Sequence, residues 1–108
     1  MSTSFAKYQA TGNDFIIIDS LDKNLTLSSS GIEKLCNRNL GIGADGLIFV
    51  KKSDSADFFM DYYNSDGSKA EMCGNGIRCL ASFVYDNHLA NGAKVKVETR
   101  GGLKVVEK

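Results

Sequence analysis

Apolar and polar positions change period several times along the chain, and the changes mark out its elements. Residues 5–9 read as a short strand. Phe15-Ile16-Ile17-Ile18-Asp19 is β-branched and almost wholly apolar, the pattern of a strand buried on both faces. Ile32, Leu35, Cys36 and Leu40 then recur at helical spacing. Ser30-Gly31-Ile32-Glu33 fits a capping box with Ser30 as N-cap, and Gly41 is a natural stop. Leu47-Ile48-Phe49-Val50 is a strand, and so is the aromatic run 58–63, whose imperfect alternation leaves its buried face open. Residues 77–89 carry apolar side chains on nearly every side, which predicts a helix buried in the domain centre. Residues 95–99 alternate as a half-buried strand should, and residues 103–107 form another. Polar stretches at 20–29 and 51–56 and glycine-containing turns at 11–14, 91–92 and 100–102 separate these elements.

The candidate chemistry lies in residues 64–79. Asp66-Gly67 is a turn dipeptide, and Cys73 falls just ahead of the predicted helix. Unpaired N–H groups and the helix dipole favour negative charge there, which drives a thiol toward thiolate. Gly74 and Gly76 would let a small anion approach the backbone, and Asn75 adds a side-chain amide. The residues alone therefore read as a reactive thiol beside an anion-binding nest. Cys36, on an apolar stripe, and Cys79, in the helix, read as core. Their spacing matches no zinc or thioredoxin-type site, and Asp61, Asn64 and Asp66 do not fit a calcium loop. His88, near the helix end, reads as a surface residue. Gly41-Ile42-Gly43-Ala44-Asp45-Gly46 lies between helix and strand, the reverse of a dinucleotide-binding order. Asn13 and Asp14 read as turn residues on spacing alone.

Composition narrows the classes further. A length of 108 residues suits one domain with a modest core. Lys and Arg number 13, as do Asp and Glu, so the net charge is zero, which argues against nucleic acid or an anionic membrane as partner. No apolar run approaches the ~20 residues of a membrane span. Met1-Ser2-Thr3-Ser4-Phe5-Ala6-Lys7 does not read as a signal peptide, and three cysteines without a disulfide framework point to the cytoplasm.

The motifs also carry a resemblance. Thr11-Gly12-Asn13-Asp14-Phe15, Gly41-Ile42-Gly43-Ala44-Asp45-Gly46, and Asn64-x-Asp66-Gly67-Ser68 followed by Met72-Cys73-Gly74-Asn75-Gly76-Ile77-Arg78-Cys79 match, in order and spacing, the amino-terminal half of the diaminopimelate epimerase family. The chain resembles that half over essentially its whole length. The resemblance implies an α+β fold in which a mixed, barrel-like β-sheet wraps a central helix, one of two similar halves. Residues 1–108 would be the amino-terminal domain, with the carboxy-terminal half absent. The activity implied is an isomerase of lysine and peptidoglycan precursor biosynthesis. It interconverts LL- and meso-diaminopimelate with no pyridoxal phosphate or other cofactor. Cys73 would be one of two catalytic thiols, Gly74 and Asn75 would hold the reacting amino-acid end, and Asn13 and Asn64 would contact substrate. Asp14 stays structural. Some members carry glutamine where Gly46 stands, and that contact is not carried over.

Inverting an α-carbon without a cofactor needs a base on one face and an acid on the other. This chain would supply one thiol, since Cys36 and Cys79 lie on the wrong elements. Proline racemase-like enzymes resemble Cys-Gly-His at the motif, whereas Cys73-Gly74-Asn75 favours the diaminopimelate branch. Phenazine-biosynthesis-like isomerases share the fold without the cysteine. The expected partners are a small amino-acid substrate and either the carboxy-terminal half or a second copy, with apolar surface exposed on the pocket side. A self-assembled pair of Cys73 sites and a non-catalytic module binding amino acids or a partner chain are the alternatives; an unreactive Cys73 would favour the second.

Overall fold

Phe15, Ile16, Ile17 and Ile18 are all buried because the strand that carries them has a helix on each face. The computed structural model describes residues 5–22, 25–71 and 73–107. Outside them lie the Met1–Ser4 start, read above as no signal peptide, two positions of the loop 20–29, Met72 of the cysteine motif, and Lys108. Eight elements follow in order: β1 (Phe5–Ala10), β2 (Asn13–Asp19), α1 (Ser29–Cys36), β3 (Gly46–Lys51), β4 (Phe58–Asn64), α2 (Gly74–Asp86), β5 (Lys94–Thr99) and β6 (Gly102–Glu107).

The strands form one six-stranded mixed sheet in chain order. β1/β2, β3/β4 and β5/β6 are antiparallel, while β2/β3 and β4/β5 are parallel. A parallel step needs a crossover, and α1 and α2 supply the two. The β3–β4 hairpin reverses strand direction between them, so crossovers of one hand place the helices on opposite faces. Phe15, Ile17, Ile48, Val50, Met60 and Val97 face α2, whereas Ile16, Ile18, Leu47 and Phe49 pack with Ile32 and Cys36 of α1. Each such buried side chain contributes about 1.5–3 kcal/mol relative to exposure.

Three boundaries differ from the sequence pattern. Ser28, not Ser30, caps α1, and its Oγ accepts from the Gly31 amide at 3.1 Å. The helix also stops at Cys36 and never reaches Leu40, which is 83% exposed. The Asn37 side chain accepts from the Asn39 and Leu40 amides, and the Gly43 and Ala44 amides fold back onto the Leu35 and Cys36 carbonyls. Gly41 permits this return, since a Cβ there would fall 2.1 Å from the Lys34 carbonyl oxygen.

The third difference concerns α2. It runs from Gly74 to Asp86 rather than over 77–89, because its first turn is Gly-Asn-Gly and carries no apolar signal. Nor is it apolar all round. Arg78, Ser82 and Asp86 lie exposed along a groove of about 940 Å³ shared with Lys104–Glu107 of β6. α2 touches both edge strands, β1 and β6, so the sheet curls around it without the edges pairing. Among the described residues, no helix is long and apolar enough to cross a membrane.

Candidate active site

Three strand ends meet at one end of the sheet. The Thr11-Gly12 turn, at φ of 50° and 84°, delivers Asn13 to the start of β2. Phe15 is aligned with Gly46 at the start of β3, and Gly46 with Asn64 at the end of β4. The first turn of α2 lands on this row. A Cβ on Gly76 would meet Ile48 Cδ1 at 3.4 Å and Phe15 Cε1 at 3.6 Å, so the helix start rests directly on β2 and β3.

Cys73 is the N-cap of α2. Its backbone is extended and its carbonyl accepts from the Ile77 amide at 2.9 Å. Among the described residues no side chain caps the helix, and no acidic residue stands in its first turn. The thiol is half-buried and close enough to the Tyr62 phenol to act on it electrostatically. Burial first, and Cys73 second, push the Tyr62 phenol up to about 12. Gly74 is exposed, and a Cβ there would meet nothing within 4 Å. Cys36 and Cys79 are 4% and 2% exposed, and burial pushes both thiols up.

Asn75 Nδ2 donates to Asn13 Oδ1 at 2.7 Å, so the helix start and the β2 start are joined side chain to side chain. Asn13 Nδ2 in turn donates to Asp45 Oδ2 at 3.3 Å, and the same oxygen accepts from the Asp14 amide. Arg38 forks onto both oxygens of Asp14 and also reaches Asp45, while Lys7 lies 2.9 Å from Asp14. The Arg38 guanidinium, with Lys7 assisting, holds the Asp14 carboxyl well below the usual carboxylate range. Asp14 thus acts as the structural residue expected of it: it staples the 38–45 loop to β2 and fixes the base of Asn13.

The structure brings Cys73, Asn13, Gly74 and Asn75 together at one helix end. Asn64 ends the neighbouring strand, but its side chain donates to Ser68 Oγ within its own turn. Asp45, Arg38 and Tyr62 were not legible as site residues, since their roles depend on pairings 24 or more positions apart or on which way β4 faces. His88 is exposed, as expected, in a left-handed conformation with φ of 58°. No cluster of metal-ligating side chains occurs among the described residues.

The sequence matches the family model described as diaminopimelate epimerase over residues 5–108. The chain belongs to the diaminopimelate epimerase family. The curated diaminopimelate epimerase of Leptospira biflexa is 47% identical over 107 residues, covering 99% of this chain and 38% of the relative. That of Prochlorococcus marinus is 52% identical over 110 residues, covering 95% and 39%. The chain therefore spans somewhat more than a third of the length of these diaminopimelate epimerases. Among solved structures, a phenazine biosynthesis PhzF-family protein of Bacillus anthracis superposes with a TM-score of 0.70 at 21% identity, over 99% of this chain and 36% of that one. One from Enterococcus faecalis gives 0.73 at 12%, over 100% and 41%. These likenesses bear on the fold alone, and they bear out the expected α+β class with a mixed sheet around a helix.

Proposed function

We propose that this chain supplies one half of a two-thiol site that epimerises diaminopimelate between its LL and meso forms. The supporting observation is the half-buried Cys73 at the uncapped start of α2, beside the Asn13–Asn75 pair. In this reading the substrate carboxylate is held by the amides of the first turn, where the helix dipole favours an anion. Gly74 leaves room for it, and Asn75 and Asn13 orient the amino-acid end, with Asn64 contributing from the end of β4.

Cys73, as thiolate, then takes the α-proton. The C–H bond breaks, an S–H bond forms, and the electron pair stays on the α-carbon, delocalised into the carboxylate under the field of the helix start. A second thiol on the opposite face gives up its proton, and the new C–H bond forms with inverted configuration. Both protons are carried by sulfur, so the route uses no cofactor. Cys36 and Cys79 are too buried to be the second thiol. The reading therefore assigns it to the carboxy-terminal remainder of a longer enzyme, with this chain as the amino-terminal domain of a cytoplasmic isomerase.

The test is α-proton exchange of diaminopimelate in heavy water. It is followed with this chain alone, with an added carboxy-terminal half, and with Cys73→Ala in each. Exchange only with the added half, lost in Cys73→Ala, is the expected result. Exchange by the chain alone would point to a second copy as the source of the other thiol. No exchange by an assembled pair of verified mass would overturn the reading in favour of a non-catalytic binding module.

A further inference from the structure

Arg100 lies in the turn between β5 and β6, remote in sequence from the Cys73 motif. Its guanidinium sits over the rings of Tyr63 and Phe59, at 5.2 and 5.9 Å from their centroids. Nη2 pairs with Asp61, which is 3% exposed. Nη1 donates to the Tyr62 carbonyl at 2.9 Å and leans toward that of Ala70 at 3.4 Å.

The location gives these contacts their meaning. β4 and β5 are paired only at Phe58–Val97 and Phe59–Glu98. Beyond that point the flank of β4 passes to residues 68–70. The Asn64 amide donates to the Ser68 carbonyl at 2.8 Å, the Ala70 amide to the Tyr62 carbonyl at 3.0 Å, and Tyr63 bridges Lys69. Cys73 follows that segment three residues later in the sequence. Arg100 therefore sits where β5 hands its place beside β4 to the segment carrying the thiol, and it grips both sides of the join.

Charge balance alone does not explain an arginine here, because Lys51 Nζ already lies 2.8 Å from Asp61. Only a planar fork can meet the carboxylate and the carbonyls together.

We propose that Arg100 is a positioning residue for Cys73, its fork fixing the segment that sets the thiol at the start of α2. The proposal rests on the reading of Cys73 as the reacting thiol. Displacement of a reacting group by 1 Å can cost about 10²-fold in rate.

The test compares Arg100→Lys, Arg100→Ala and the double variant Asp61→Asn/Arg100→Ala with the parent. Alkylation of Cys73 by iodoacetamide is followed across pH in this chain. The kcat and KM of diaminopimelate exchange are measured after assembly with a carboxy-terminal half, and thermal unfolding is recorded alongside. Both single variants are expected to shift the alkylation profile and to lower kcat by about tenfold to 10²-fold with little change in KM. Arg100→Lys, which keeps a cation beside Asp61, should lose less thermal stability than Arg100→Ala without regaining either property, and the double variant, which removes the carboxylate paired with Lys51, should regain neither. Recovery of kcat and profile together with stability would overturn the proposal, as would a parental profile in Arg100→Ala. Cys73→Ala keeps the two readings apart: undiminished exchange there removes the catalytic role of Cys73, while the alkylation series still decides whether Arg100 sets its position.

Discussion

At its carboxyl end α2 is closed by its own chain, while at its amino end it is left open. The Asn87 amide returns to the Phe83 carbonyl at 3.0 Å, that of His88 to Tyr85 at 3.1 Å, and those of Leu89 and Ala90 both to Val84. The Asn87 side chain adds a bond to Phe83 at 2.8 Å. At the other end, among the described residues, no side chain caps the first turn, no carboxylate offsets the dipole, and Gly74 faces open space. Ordinary helices fill such a start with serine, threonine or aspartate, which contributes ~1 kcal/mol. Here the position is held by Cys73. The difference teaches that the closed end spends its hydrogen-bonding groups on its own chain, whereas the open end leaves hydrogen-bonding capacity and partial positive charge unspent.

The comparison breaks most sharply at the cysteines. Cys73→Ala should lower exchange by about 10²–10⁴-fold, the usual contribution of a positioned acid–base group, with little loss of stability. Cys79→Ser, in the same helix but buried, should instead destabilise by about 1–3 kcal/mol through an unpaired hydroxyl. Paired kinetic and denaturation measurements check both.

Two glycines sharpen it next. A Cβ on Gly46 would fall 2.8 Å from Tyr62 Cε1 and 2.9 Å from the Tyr63 carbonyl oxygen. Gly46→Ala should cost about 1–3 kcal/mol by overpacking. Gly74→Ala meets nothing and should leave stability unchanged or raise it by up to about 1 kcal/mol, yet raise KM for diaminopimelate. A Gly74→Ala enzyme with parental KM would mean that the open space is not a binding space.

Acid separates the ends in a third way. Asp14, which supports the site, has its folded pKa depressed by Arg38 and Lys7. The associated stability is present above the ordinary carboxylate range and is lost as pH falls through and below it. Stability against pH should therefore decline at acid pH in the parent, and more shallowly in Asp14→Asn. The smallest effect lies at the closed end. His88 occupies a left-handed conformation at φ of 58°, so His88→Gly should gain about 1 kcal/mol in denaturant unfolding and leave exchange untouched.

The open end was legible in the sequence because its signal is contiguous. Cys73-Gly74-Asn75-Gly76 is a run of neighbours that can be picked out without any long-range pairing. The double burial of Phe15 to Ile18 was legible for the same reason. The contacts that support the open end were not. Asn13 meets Asn75 across 62 positions, and Arg100 meets Asp61 across 39, contacts that no local period encodes. The imperfect alternation of β4 hid the direction of Tyr62 because that strand is covered on both faces. At α1 the sequence pattern pointed to Ser30 as the cap. Ser28 wins, with Ser30 Oγ bonded to Ser28 Oγ at 3.2 Å inside the first turn.

The central claim is that the open end of α2 is a ligand site and the closed end is not. Titrating this ¹⁵N-labelled chain, paired with a carboxy-terminal half, with diaminopimelate tests it residue by residue. The account predicts amide shifts concentrated at Asn13 and at Cys73, Gly74, Asn75 and Gly76, with Asn87 through Ala90 unmoved. Unshifted amides at the start of α2 in a saturated complex, or shifts spread equally over both ends, would contradict it.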